Sequence, residues 1–226
     1  MFEKLLSYKQ IDDLRHDIKM GRLKKNTHGM RSDFRIAVID DHAFPYEQML
    51  KSNGYVVDYI GDIRNISEVS EYAIILCDLQ GVGQYLNKQS QGAFIIDEIK
   101  RNHPEKIVIA YTGGASDDAI TLRAQEFADF FLKKDLEFDE WRDRLDATID
   151  FLSDPIKVWN RQRDALVEAE VPTLDILRLE DAFVRSVKGQ TPAPYERLIL
   201  SSSISSDLRA IAQSMIASGL FKVFVG

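Results

Sequence analysis

The sequence is poor in cysteine and contains no long hydrophobic run. The one cysteine among its 226 residues, Cys77, excludes an intrachain disulfide framework and fits a reducing, cytoplasmic setting. No apolar stretch approaches the roughly 20 residues that a membrane-spanning helix needs, and the polar start at Met1 is not typical of a signal peptide. We therefore expect a cytoplasmic protein with no membrane partner.

Positive charge is also scarce in the middle of the chain. Residues 34–153 carry 12 basic and 22 acidic side chains, whereas residues 1–33 carry 8 and 5, and residues 154–226 carry 9 and 9. An acidic centre attracts divalent metal ions and repels nucleic acid. The neutral C-terminal region has no basic recognition helix, so a DNA-binding regulator is the least favoured hypothesis.

Five short runs rich in β-branched and aromatic residues alternate with helical patterns. The predicted strands are 34–39, 55–60, 73–77, 107–111 and 129–132. The predicted helices are 43–53, 65–70, 91–102, 115–127 and 137–152. This alternation predicts an α/β fold with a doubly wound, five-stranded parallel sheet. Because parallel crossovers are right-handed, we expect the strand order 2-1-3-4-5, with its switch point between strands one and three.

The residues on either side of this region predict helices. Apolar residues near helical spacing predict an N-terminal helix over 1–20, followed by a linker. Only helical patterns follow residue 154, including a helix that starts near Ser206, and the apolar end Leu220–Val225 is expected to be buried. The predicted domains are an N-terminal helix and linker (1–33), a central α/β domain (34–153) and an α-helical extension (154–226).

Chemically reactive side chains lie at the ends of four predicted strands. Asp40 and Asp41 follow the first strand and Asp78 the third, while Thr112 and Lys134 follow the fourth and fifth. The carboxyl ends of parallel strands meet at one edge of a sheet, so these side chains should share one pocket. Three carboxylates repel one another unless a cation joins them, and oxygen ligands favour Mg²⁺. Such a pocket suits attack by Asp78 on a phosphoryl group.

In these features the chain resembles the receiver domain of two-component response regulators. The matching segments are Ile36–Asp41, Ile75–Asp78, Ala110–Gly113 and Asp129–Lys134, and the resemblance covers about residues 34–153. It implies a phosphoacceptor protein rather than an enzyme. A histidine kinase or phosphotransfer protein is the implied partner, since the chain has no glycine-rich ATP-binding motif of its own.

The resemblance also implies roles for individual residues. Asp78 would accept the phosphoryl group, which Thr112 and Lys134 would then hold. Phe131 stands at the position of a switching aromatic residue. The neighbouring Lys133 competes for the role of Lys134, although the spacing from the fifth strand favours Lys134.

The same resemblance implies a magnesium site. Asp41 would bind Mg²⁺ directly and Asp40 through water, and Asp78 and the backbone carbonyl of Gln80 would complete the set of ligands. His42, beside the acidic pair, is expected to be a surface residue that starts a helix.

Three features depart from the receiver pattern. Gly81-Val82-Gly83 replaces the proline that usually follows the acceptor aspartate, Asp135 replaces the proline after the lysine, and the loop from Leu79 to Gln91 is longer than usual. These departures favour an alternative function, a degenerate receiver that acts as a phosphorylation-independent interaction scaffold. In either case the apolar faces of the two helical flanks predict that they pack together, and a homodimer formed through them is expected.

Overall fold

The structure is a computed structural model that describes residues 8–21, 30–113, 118–201 and 204–225. The chain forms two compact units. Residues 30–149 and 217–219 make up the first, named the sheet unit, and residues 1–29, 150–216 and 220–226 make up the second, named the helical unit. The N-terminal segment therefore groups with the C-terminal helices.

The sheet unit contains five parallel strands. They are Arg35–Ile39 (β1), Val56–Tyr59 (β2), Ile74–Asp78 (β3), Ile107–Thr112 (β4) and Phe130–Lys133 (β5). Their order is β2-β1-β3-β4-β5, and every neighbouring pair is parallel. The predicted fold class and strand order are thus confirmed. Strands β1, β3 and β4 are buried almost throughout, as expected for continuous Val, Ile and Leu runs that are covered on both faces.

Four helices accompany the sheet. They are Glu47–Ser52 (α2), Gln91–Asn102 (α3), Ala119–Phe127 (α4) and Phe138–Leu152 (α5), and the last of them continues into the helical unit. The helix predicted over 43–53 begins later, at Glu47, because Pro45 disfavours helical backbone in the residue before it. The segment predicted as helix 65–70 is a single 3₁₀ turn, Ile66–Val69, capped by the Asn65 side chain.

Helix α4 also starts later than predicted. The prediction was 115–127, but α4 begins at Ala119 because the Asp118 carboxylate accepts a hydrogen bond from the Thr121 N–H and so forms the N-cap. Residues 115–117 of that prediction lie outside the described residues.

Six helices make up the described part of the helical unit, apart from the end of α5. They are Ile11–Lys19 (α1), Pro155–Glu168 (α6), Thr173–Gly189 (α7), Ala193–Leu200 (α8), Ser206–Ala217 (α9) and Leu220–Val225 (α10). Helix α1 is shorter than the predicted 1–20, and residues 1–7 lie outside the described part of the chain. Sequence reasoning missed α8, whose prolines Pro192 and Pro194 sit at its start, where a missing N–H costs little.

The helical unit has its own aromatic core. The Trp159 and Phe183 rings stack with 5.2 Å between centroids, and Tyr195 and Phe221 stack at 4.6 Å. Phe224 also contacts Phe183, so the apolar end of the chain is buried, as predicted. Helix α1 packs against α6 and α7 within the same unit. Of the described helices, none has the length and apolarity that crossing a membrane would require.

Candidate functional site

The carboxyl edge of the sheet holds a cavity of about 300 Å³. Its lining residues are Asp41, His42, Asp78, Gln80, Gly81, Thr112, Gly113 and Lys134. Strand ends explain this convergence, because Asp78 and Thr112 are the last residues of β3 and β4. The structure therefore brings all the predicted site residues together. All of them line the cavity except Asp40, which is buried behind it with Oδ2 3.1 Å from the Lys134 Nζ.

Lys134 joins two of the carboxylates. Its Nζ lies 2.7 Å from Asp78 Oδ2 and 3.1 Å from Asp40 Oδ2. The backbone fixes the lysine, since the Lys134 N–H donates to the Thr112 carbonyl at 3.0 Å and so continues the pairing of β5 with β4. Lys133 is exposed. Of the two adjacent lysines, Lys134 is the one that enters the site.

Asp78 is only 4% exposed. Burial raises its pKa, the hydrogen bond from Lys134 lowers it and the charge of Asp40 raises it, with a net rise above the ordinary aspartate value. Burial lowers the pKa of Lys134, but its contacts with Asp78 and Asp40 more than offset this, so that pKa is raised. The site thus pairs a firmly charged ammonium with a carboxylate of raised basicity, a combination that suits nucleophilic attack.

Asp40 is held by groups that sequence reasoning missed. The Tyr111 hydroxyl donates to Asp40 Oδ2 at 2.8 Å, and the His42 backbone N–H donates to Oδ1 at 2.9 Å. The Tyr59 hydroxyl donates to the Asp40 carbonyl oxygen at 2.8 Å. Burial and the charge of Asp40 raise the pKa of Tyr111, so its hydroxyl stays protonated and donates. A signal was present in the sequence, because a tyrosine inside an apolar strand run needs a hydrogen-bond partner when buried.

Two glycines allow close packing at the site, one against the Asp41 carboxylate and one against the backbone carbonyl of Asp78. Gly81 has φ +83°, and a Cβ there would lie 2.2 Å from Asp41 Oδ2. At Gly92, in the first turn of α3, a Cβ would lie 2.1 Å from the Asp78 carbonyl oxygen. Only glycine allows both approaches.

The loop after β3, around Gly81-Val82-Gly83, is held by hydrogen bonds on both sides. The Gly81 N–H donates to Gln91 Oε1 at 2.8 Å, and the Gly83 N–H donates to Asp62 Oδ1. Val82 between them is buried. The long loop is therefore an organised wall of the cavity.

An aromatic cluster lies behind Asp40. The Tyr111 ring contacts Phe44 at 5.7 Å and Trp141 of helix α5 at 5.5 Å, and Phe44 contacts Trp141 at 5.2 Å. Trp141 is fully buried. Phe131 in β5 is half-buried against the hydrophobic core of the sheet. The acidic site is thus connected through Tyr111 to the last helix of the sheet unit.

The acidic pair fits a divalent metal ion. One ligand atom each from Asp40, Asp41 and His42 lie within 4.8 Å of one another. The Asp41 carboxylate packs directly against the Gly81 backbone, where a Cβ would lie 2.2 Å from Oδ2, so the glycine allows Asp41 to keep its place at the cavity. Carboxylate oxygens beside a cavity suit Mg²⁺, which is held by one or two carboxylates together with water or phosphate oxygens.

Comparison with solved structures finds receiver domains. One is a CheY-like receiver domain protein from Methanospirillum hungatei, with 19% identity over 52% of this chain and 94% of that chain, and a TM-score of 0.42. Another is the receiver domain of NtrX from Brucella abortus, with 18% identity over 51% and 98%, and a TM-score of 0.41. The signal receiver domain of a putative LuxO repressor from Vibrio parahaemolyticus has 22% identity over 60% and 97%, and a TM-score of 0.40.

No family model and no curated protein matches the sequence. Over about half of its length the chain resembles response regulator receiver domains.

Proposed function

We propose that this is a response-regulator-like protein whose Asp78 accepts a phosphoryl group in a Mg²⁺-dependent reaction. One observation carries the proposal: Asp78 borders an open cavity, with the Lys134 Nζ at 2.7 Å and Thr112 in the same wall. The donor is a histidine kinase or phosphotransfer protein, and the protein itself acts as a phosphoacceptor rather than an enzyme. A cytoplasmic location follows from such a donor and agrees with the free, buried Cys77.

In the proposed transfer, a carboxylate oxygen of Asp78 attacks phosphorus in line with the leaving group. The bond from phosphorus to the donor nitrogen breaks, the donor imidazole keeps the electron pair, and an acyl phosphate forms on Asp78. Lys134 exchanges part of its contact with Asp78 for the transferred oxygens, and the Thr112 hydroxyl can donate to them. The acyl phosphate carries more negative charge than the free carboxylate, so the product needs the positive charge of Lys134 and the metal.

The Mg²⁺ ion would be held by Asp40, Asp41, Asp78 and the backbone carbonyl of Gln80. When bound, it supplies positive charge to the phosphoryl oxygens. Asp40 keeps its orientation through Tyr111, and Asp41 keeps its position against Gly81. Asp41→Ala is therefore expected to remove the rise in Tm that Mg²⁺ gives the wild type, since a ligand stabilises the state that binds it.

The output would pass through the helical flanks by protein–protein interaction. Large apolar side chains are exposed on this unit, including Val167 (59% exposed) and Leu200 (81% exposed). These side chains support a homodimer through the flanks. Phosphorylation would bias that assembly only if the phosphorylated state bound its partner better.

The transfer is tested by intact mass after incubation with acetyl phosphate and Mg²⁺. The wild type should gain the mass of one phosphoryl group, and Asp78→Asn should gain none. Asp135→Asn, an exposed acidic neighbour of Lys134, is the matched control and should be labelled like the wild type. No gain in the folded wild type, with this donor or with a phosphorylated phosphotransfer domain, would instead favour the phosphorylation-independent scaffold.

The assembly is tested separately by light scattering on the full chain. We expect a dimer that Leu200→Glu weakens, with exposed Tyr85→Glu in the sheet unit as the control. A wild-type monomer, with and without phosphodonor, would contradict the dimer and leave the phosphoacceptor proposal intact.

A further inference from the structure

We infer that His42 is a metal ligand, which makes the acidic site a mixed oxygen and nitrogen centre and strengthens its binding of borderline divalent cations such as Co²⁺ or Zn²⁺ much more than its binding of Mg²⁺. The inference rests on the proposed function only for the position of the metal site. It gives His42, at the mouth of the cavity, the role of a nitrogen ligand, which a carboxylate cannot supply.

The distances fit ligands on one ion. The His42 Nδ1 lies 2.8 Å from Asp41 Oδ1, and ligand atoms of His42, Asp41 and Asp40 are all within 4.8 Å of one another. Bonds of about 2.1 Å place neighbouring ligands of an octahedral ion about 3 Å apart and opposite ligands about 4.2 Å apart. The three side chains therefore need only small adjustments to share an ion.

The His42 side chain is available for binding. Its ring is 81% exposed, so no packing holds it elsewhere, while its backbone N–H is fixed by Asp40 Oδ1 at 2.9 Å. Within the described part of the chain, the hydrogen-bond partner of the ring is the Asp41 carboxylate itself. The residue is thus anchored beside the acidic pair with a movable imidazole.

The other positive group of the site is placed differently. Lys134 contacts Asp78 and Asp40, the carboxylates on its own side of the site. Asp41 has His42 as its partner instead, and its carboxylate is 33% exposed. A cation that binds Asp41 therefore lies next to the His42 imidazole, and it does not have to displace a lysine from the Asp41 carboxylate.

The chemistry of the two ligand types sets the preference. Mg²⁺ selects oxygen ligands and gains little from an imidazole, whereas Co²⁺ and Zn²⁺ bind imidazole well. All such sites bind transition metals more tightly than Mg²⁺, so affinity for Co²⁺ alone does not reveal a nitrogen ligand. The informative quantity is how much each affinity changes when His42 is removed.

The experiment is calorimetric titration of the full chain with CoCl₂ and, separately, MgCl₂, without phosphodonor. His42→Gln should lower the Co²⁺ affinity by about tenfold or more and change the Mg²⁺ affinity by less than about twofold. His16→Gln, an exposed histidine in α1, is the control and should change neither. The visible absorption of bound Co²⁺ should also shift in His42→Gln, because a nitrogen ligand is lost.

An unchanged Co²⁺ affinity in His42→Gln, or equal losses for both metals, would overturn the inference. Asp41→Ala should weaken the binding of both metals, and that loss would show that the titration measures binding at this site. The result is separable from the proposed function, because the titration involves no phosphoryl transfer. If Asp78 is labelled but His42→Gln does not change Co²⁺ binding, only this inference is contradicted. If His42→Gln weakens Co²⁺ binding but Asp78 is not labelled, only the phosphoacceptor proposal is contradicted.

Discussion

Two lysines at opposite ends of the same sheet form ion pairs with very different consequences. Lys106 precedes β4 and is fully buried, with Nζ 2.7 Å from the Tyr72 carbonyl oxygen, 2.9 Å from that of Ser70 and 3.6 Å from Glu105 Oε1. Lys134 follows β5, is 30% exposed and faces a cavity. One lysine is enclosed by its partners, and the other has room for a ligand.

The pKa shifts of the two lysines have opposite signs. Burial lowers the pKa of Lys106 even though Glu105 raises it, whereas at Lys134 the contacts with Asp78 and Asp40 outweigh burial and raise the pKa. An enclosed ion pair serves structure, because removing one charge leaves the other buried without it. An open pair beside a cavity can exchange partners, which is what phosphoryl transfer requires. Burial and access, rather than the presence of an ion pair, separate the two roles.

The largest effect is expected from Lys106→Met. It leaves Glu105 and two carbonyl groups without the ammonium inside the protein, and breaking a buried pair costs about 3 kcal/mol or more. Thermal unfolding should show a Tm lower by about 6 °C or more. Lys133→Met, at an exposed position, should leave the Tm nearly unchanged. Equal Tm values for wild type and Lys106→Met would remove the contrast between the two lysines.

A second effect at the Lys106 end depends on pH. Burial and the charge of Lys106 lower the pKa of His103 from 6.5 to about 4. The unfolded chain therefore takes up a proton before the folded one, so this contribution to stability is present above pH 6.5 and is lost as pH falls towards 4. His103→Gln should flatten the fall in unfolding free energy over this window by about 2 kcal/mol. If the unfolding free energies of the wild type and His103→Gln fall in parallel between pH 6.5 and 4, the lowered pKa of His103 is contradicted.

At the Lys134 end a substitution is expected to stabilise the fold. The pKa of Asp78 is raised, chiefly by burial. The stability that this carboxyl contributes is therefore fully present below its pKa in the unfolded chain, and it is lost as pH rises through its pKa in the folded protein. At pH 7 the buried charge therefore costs stability, and Asp78→Asn removes that cost. A gain of 1 kcal/mol would raise the Tm by about 2–4 °C.

The gain from Asp78→Asn should disappear below about pH 3.8, where the wild-type carboxyl is protonated in both states. Asp135→Asn provides the matched surface control. A lower Tm for Asp78→Asn at pH 7 would show that the Lys134 contact, rather than burial, dominates at this carboxylate.

The sheet and the place of the site were predictable because the signals were strong. Apolar runs of strand length alternate with helical patterns, and the order of parallel strands follows from the handedness of crossovers. Asp40, Asp78 and Lys134 stand at strand ends, so their convergence followed from the topology alone.

Other details depend on tertiary contacts that no local pattern encodes. The Tyr111 hydroxyl meets Asp40 across 71 positions of sequence, and the His42 ring bonds its own neighbour rather than starting a helix. Helix α8 was not predicted; its prolines lie at its start, where proline is tolerated in the first turn of a helix.

The most direct test of the account uses the adjacent lysines as a matched pair. The initial rate of Asp78 labelling by acetyl phosphate and Mg²⁺ is measured by intact mass for the wild type, Lys133→Ala and Lys134→Ala. Lys134 lies 2.7 Å from the attacking carboxylate and Lys133 is exposed, so we predict a loss of about a hundredfold for Lys134→Ala and almost none for Lys133→Ala. Equal rates for the two variants would contradict the claim that this edge of the sheet is a phosphoryl-transfer site organised by Lys134.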